Sequence, residues 1–107
     1  MEEKVLCGAS CYTKKFYLNP EFEGLPPMIK EELKILCVMY TESVSGTIQM
    51  IYDEDGNLRI DVDHNEDDFL YDEIGSALEV KRMQRERTEL FEALETYYKV
   101  VFLGEGM

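Results

Sequence analysis

The segment Asp61-Val62-Asp63-His64-Asn65-Glu66-Asp67 carries oxygen ligands at the alternate spacing of a calcium loop. Asp61, Asp63, Asn65, Asp67 and Asp72 fall at loop positions 1, 3, 5, 7 and 12. Three departures oppose cation binding. Glu66 stands where the sharp turn needs glycine, Asp68 stands where an apolar residue is usual, and Asp72 is shorter than the bidentate glutamate of position 12. A thiolate–imidazole centre would have to recruit Cys7, Cys11, Cys37 and His64. Cys-x3-Cys is not a strong zinc spacing and no second pair follows it, so the cysteines are expected to pack as small hydrophobes. His64 is the only histidine and sits among acids, which favour its charged form over a base poised near neutrality. There is no Gly-x-Ser-x-Gly, phosphate loop or dinucleotide fingerprint. These residues therefore assign no catalytic role, no cofactor site and no metal ligand, and leave enzymatic activity open.

Charge narrows the partners. The chain has 23 acids against 11 bases, a net charge of −12. That balance argues against phosphate-rich partners, because nucleic-acid affinity comes from Lys and Arg neutralising phosphates. The excess is local. Ten acids and one base lie between Asp53 and Glu73, a net of −9, and the remainder nets −3. A solvated loop, a cation site or a patch for a basic partner would each use such a window. Lys81, Arg82 and Arg85 form the only basic cluster, which on a helix shares one face and would meet acids of this chain or of a second copy.

The elements that must position these residues follow from periodicity. With 107 residues and a 45% hydrophobic fraction, one domain spanning 1–107 is expected. In residues 4–18, Val5, Cys7, Ala9 and Cys11 alternate with Leu6, Gly8, Ser10 and Tyr12; this predicts either two strands turning near Thr13-Lys14-Lys15 or one long bent strand. Pro26 and Pro27 suit a helix start, and Ile29, Leu33, Leu36, Cys37, Tyr40 and Val44 form a helical stripe that Met28, Ile35 and Met39 widen. Gly46 is a natural stop. A hairpin follows, and parity selects its turn. A two-residue Asp55-Gly56 loop would pair Ile51 with Ile60 and oppose the two apolar faces. A three-residue Glu54-Asp55-Gly56 loop pairs Tyr52 with Leu58, Met50 with Ile60 and Ile48 with Val62, all on one face, with Gly56 left-handed. Arg59, Asp61, Asp63, Thr47 and Gln49 then share the other face, with Ile51 as the exception.

The C-terminal third is helical in two phases. Leu70, Ile74, Ala77 and Leu78 lie on one face; Val80, Met83, Leu90, Phe91, Leu94, Tyr97, Val101 and Phe102 lie on another. This predicts a break between Ile74 and Val80, near Gly75-Ser76, and then one helix to about Leu103. Arg82/Glu86, Arg85/Glu89 and Glu95/Lys99 are i,i+4 pairs on it. Tyr97 and Tyr98 are adjacent and cannot share one narrow face, so one of them is expected at the surface. The order β-region, α, β-hairpin, α reads as a two-layer α+β fold, an antiparallel sheet with helices packed on one face.

Cys7-Gly8-Ala9-Ser10, Leu25-Pro26 with Ile29-Lys30-Glu31-Glu32-Leu33, Tyr71-Asp72-Glu73-Ile74-Gly75-Ser76, and Leu90-Phe91-Glu92 with Tyr97-Tyr98-Lys99 carry a resemblance over most of the chain. The sequence resembles a small family of uncharacterised bacterial proteins, a domain of unknown function. The resemblance implies a cytoplasmic bacterial protein and transfers no functional residue.

The leading expectation is a non-enzymatic, acidic, cytoplasmic protein–protein interaction module. No apolar run is long enough for a membrane span, no signal peptide is expected from the acidic start, and no cofactor or nucleic-acid partner is expected. The stretch Val80 to Phe102, 23 residues and about 35 Å long, carries Val80, Met83, Leu90, Leu94, Tyr97 and Val101 at seam spacing, with Arg87 filling the one gap. This predicts a homodimer through the C-terminal helix; a basic protein partner is a second expectation. The competing reading is a small-ligand or divalent-cation binder with enzymatic potential, using the acidic Asp61–Asp72 segment.

Overall fold

The computed structural model describes residues 3–104. Strand β1 (Lys4–Ser10) pairs with β2 (Lys15–Leu18) on one side and with β3 (Thr47–Tyr52) on the other, and β3 pairs with β4 (Leu58–Asp63). Every pairing is antiparallel, in the order β2-β1-β3-β4. Helix α1 (Pro27–Ser43) joins β2 to β3, and α2 (Glu73–Glu86) and α3 (Thr88–Val101) follow β4. The α+β architecture with an antiparallel sheet is the one expected, and residues 4–18 form two strands.

Alternation divides the sheet cleanly. Cys7, Ala9, Ile48, Met50 and Tyr52 are buried on the helical side, with Phe16, Leu18, Leu58, Ile60 and Val62 half-buried beside them. The β3–β4 register pairs Tyr52 with Leu58, Met50 with Ile60 and Ile48 with Val62, and Gly56 sits at φ +88°, so the three-residue loop is the one adopted. Asp53 braces that loop: its carboxylate accepts the N–H groups of Asp55 at 2.9 Å and Asn57 at 3.0 Å. The open face carries Thr47, Gln49, Asp61 and Asp63, as parity requires. Ile51 is the exception and is nonetheless buried, in register between Val5 and Arg59.

Strand β1 departs from simple alternation. A bulge between Val5 and Cys7 puts Val5 opposite Ile51 on the open face and Cys7 opposite Met50 in the core. Leu6, the residue in the bulge, is fully buried, whereas Val5 is only half-buried. One inserted residue reverses the facing of everything before it.

Leu33, Leu36, Cys37 and Tyr40 anchor α1 to the sheet. Met28, Ile35 and Met39 do not widen that contact; all three are exposed. The helix ends at Ser43, and Gly46 lies in the link to β3 at φ +119° rather than at the helix stop.

The expected break before Val80 is absent. Gly75 and Ser76 lie in the first turn of α2, and the helix runs on to Glu86. The interruption falls at Arg87, at φ −122° and ψ 36°. There the Thr88 hydroxyl donates to the carbonyls of Gln84 (3.2 Å) and Arg85 (3.1 Å), groups at a helix end that would otherwise lack partners. The break explains two of the expected ion pairs. Arg82 meets Glu86 at 3.0 Å on α2, but Arg85 and Glu89 now lie on different helices. Glu95 turns to the sheet instead of to Lys99, accepting the Leu58 N–H at 2.8 Å.

Leu90, Leu94 and Tyr98 of α3 and Met83 of α2 are buried within the chain's own core. Tyr98 stacks on Tyr52 with ring centroids 4.3 Å apart, and Phe22 and Phe102 complete the aromatic cluster. Tyr97 joins its edge, tilted against Phe22 and edge-on to Phe102. Neither tyrosine is free at the surface. Most of the apolar residues expected along a C-terminal dimer seam are thus packed inside one chain.

Candidate functional site

Ile74 and Leu78 of the first apolar phase and Val80 and Met83 of the second lie on opposite sides of α2. Asp72 caps its start, accepting the Gly75 N–H at 3.0 Å, and Glu73 sits in the first turn at the positive end of the helix dipole. Ser76 and Met83 are buried and Val80 is half-buried, so these three face the body. The Ser76 hydroxyl lies 2.6 Å from the Tyr40 hydroxyl of α1. At about 100° per residue, Ile74, Leu78, Lys81 and Arg85 fall on the side directly opposite. All four are exposed, Ile74 at 75% and Leu78 at 62%. Phe69 and Leu70, in the chain just before the helix, are exposed at 95% and 85%. Ten residues therefore present four large apolar side chains to solvent. Asp67, Asp72 and Glu73 accompany them at one end, and Lys81 and Arg85 follow at the other.

Asp68 fixes the chain that leads into this face. Its carboxylate accepts hydroxyl hydrogen bonds from Ser45, before β3, and from Tyr12, in the β1–β2 turn. It also accepts the Leu70 N–H at 3.0 Å. The Ser45 and Tyr12 bonds hold this carboxyl below the usual aspartate range. Desolvation and the bond to Asp68 push the Tyr12 hydroxyl up. Asn65 N–H donates to the Tyr12 oxygen at 3.1 Å, and the His64 ring stacks on Tyr71 with centroids 3.9 Å apart. Asp68 had no expected role except as a misfit at a calcium-loop position; the signal was an acid where that loop wants an apolar residue.

The calcium-like set does not converge. Asp61 is bound by Arg59 at 2.9 Å, Asp63 accepts the His64 N–H at 2.8 Å, and Asp72 is the helix cap. Among the described residues, no group of three or more His, Cys, Asp and Glu side chains gathers closely enough to hold a metal ion. Cys7 and Cys37 are buried in the core with their sulfurs 3.8 Å apart. The Cys37 contact and burial push the Cys7 thiol up, away from the thiolate that ligation or attack would need. Cys11 lies apart, its sulfur accepting the Gly46 N–H at 3.0 Å. Of the basic cluster, Arg82 is engaged on its own helix by Glu79 and Glu86, while Lys81 and Arg85 make no ion pair among the described residues.

Among the described residues, no helix is long and apolar enough to cross a membrane. A family model described as a family of unknown function, DUF6145, matches residues 3–106. No curated protein and no solved structure matches the chain.

Proposed function

The chain belongs to DUF6145, a family of unknown function, and on that footing we propose that it is a non-enzymatic interaction module that pairs with a second copy of itself through the outer face of α2. The observation that carries this reading is the exposure of Phe69, Leu70, Ile74 and Leu78 together. Soluble monomers rarely leave large apolar side chains gathered in this way, and such patches mark interfaces.

Charge favours a second copy over a foreign partner. In an antiparallel pairing that sets Ile74 of one helix against Leu78 of the other, residue numbers of facing positions sum to 152. Arg85 then faces Asp67 of the second copy, and Lys81 faces Tyr71, which adjoins Asp72. The face is self-complementary, as a twofold interface requires. The apolar residues lie at the centre and opposite charges lie on both flanks.

Sedimentation at micromolar concentration tests the proposal. A dimer is expected, dissociating when Leu78→Ser or Ile74→Ser removes the apolar centre and weakening when Lys81→Glu and Arg85→Glu reverse one flank. These side chains are exposed in the single chain, so the variants should keep their folding stability. A wild-type monomer at about 100 µM, a concentration at which a dimer of micromolar Kd is largely formed, would overturn the proposal. So would a dimer indifferent to all four substitutions, or capture of a basic amphipathic peptide by a chain that stays monomeric.

A further inference from the structure

A cleft of about 660 Å³ opens between the edge strand β2 and α1, on residues the α2 face does not use. Ligand clefts commonly fall within roughly 300–1,000 Å³. Its apolar surface comes from Ala9, Phe16 and Val38, and its rim carries Lys14, Lys15 and Lys34. The carboxylate that lines it is Glu42 alone.

Three observations set this cleft apart. First, Lys14, Lys15 and Lys34 gather on this one cleft and, among the described residues, make no ion pair there, although the chain has a twofold excess of acids; Lys81, Arg85, Arg87 and Lys99 are also unpaired but do not line it. Second, Lys14 sits at φ +55°, the one described non-glycine residue in the left-handed region. A side chain there costs about 1–2 kcal/mol relative to an ordinary conformation, and unfavoured backbone of this kind clusters at ligand sites. Third, the Ser10 oxygen already accepts the N–H groups of Tyr12 (3.1 Å) and Thr13 (3.3 Å), which leaves its hydroxyl hydrogen free to donate beside the lysines.

We propose that this cleft binds a small organic phosphate monoester. Three ammonium groups and one carboxylate leave a surplus of two positive charges, which matches the charge of −1.5 to −2 that a phosphate monoester carries near neutral pH. Lysine serves such a group as a point charge. Phe16 and Val38 provide the apolar wall for the organic part. The acidic balance of the whole chain excludes an extended polyanion and does not bear on one dianionic group held at a local positive cluster.

Titration with phenyl phosphate, followed by amide chemical shifts, tests the assignment. Saturable shifts are expected within residues 9–16 and 34–42. Lys15→Ala with Lys34→Ala should weaken binding by roughly tenfold or more, the scale of a lost charged contact, while Lys81→Ala with Arg85→Ala should leave it unchanged. Inorganic phosphate and phenol, the two halves of the probe, should each bind at least tenfold more weakly. Lys15, Lys34, Lys81 and Arg85 are all exposed, and unchanged circular dichroism will verify folding. The assignment is overturned if phenyl phosphate gives no saturable shift by about 10 mM. It is also overturned if the Lys15/Lys34 variant binds normally, or if inorganic phosphate alone binds as tightly.

Discussion

Gly56 and Gly46 both hold left-handed backbone, yet they differ in what surrounds them. A methyl group on Gly56 would meet the side chain of Lys99, whose Cγ lies 2.9 Å from that position and can move. Gly56→Ala should therefore cost about 1–2 kcal/mol, mostly in backbone strain. For a domain of this size that lowers Tm by roughly 4–8 °C per kcal/mol. On Gly46 the methyl would lie 2.4 Å from the carbonyl oxygen of Asp63, which is fixed in the sheet. Gly46→Ala should be the more damaging of the two in the same melting experiment; equal losses would contradict the distinction. Asp68 offers a pH test. Its folded-state pKa is depressed by the Ser45 and Tyr12 hydrogen bonds. Its contribution is present above the unfolded-state value, about 3.9, and fades as pH falls through the lower folded value. Asp68→Asn should thus reduce stability at pH 7 and shrink the loss between pH 7 and pH 2, read from urea midpoints. An unchanged pH dependence would remove Asp68 as the group that ties these three segments.

At the level of elements, the hairpin was legible because period-2 alternation admits only one loop length that buries both apolar sets. The register from Ile48–Val62 to Tyr52–Leu58 follows from parity alone. The same logic fails in β1, since a bulge at Leu6 leaves no mark in the pattern except an extra apolar residue beside Val5. The helices failed for a different reason. A change of apolar phase predicts a break between Ile74 and Val80, but a single helix with one stripe inward and another outward has the same signature. Only the gap at Arg87 in the inward stripe marked the true break. The acidic segment could be read as charged, but its division into a cap (Asp72), a tie (Asp68) and a partner of Arg59 (Asp61) depends on residues far away in sequence. If the Thr88 hydroxyl secures the end of α2, Thr88→Ala should cost about 0.5–1.5 kcal/mol, the net worth of an ordinary hydrogen bond. A substitution neutral to within 0.2 kcal/mol would assign the break to packing of Leu90 and Leu94 alone.

For the whole molecule the dominant quantity is the net charge of −12. Self-repulsion on that scale disfavours the compact state and is screened by salt, with a Debye length of about 30 Å at 0.01 M and 10 Å at 0.1 M. Raising sodium chloride across that range should raise Tm. The exposed ion pairs, such as Lys4–Glu21 and Lys30–Glu23, are each worth at most about 1 kcal/mol and oppose the trend only slightly. A Tm that falls with salt would mean that local pairs outweigh the global field.

The slender inward stripe of α2 also has a consequence in time. Among the described residues, Ser76 and Met83 are the buried residues of this helix, with Val80 half-buried between them and one hydroxyl contact to Tyr40, whereas α1 is seated by four fully or nearly fully buried residues. Elements with few buried contacts detach first, in excursions far less costly than global unfolding. In hydrogen–deuterium exchange, the amides of α2 should therefore label well before those of α1 and β3. Since the same helix bears the proposed pairing face, its labelling should slow as protein concentration rises, while β1 and β3 keep one rate at every concentration. The helix would then act as the molecule's own clock for assembly, slow when partnered and fast when alone.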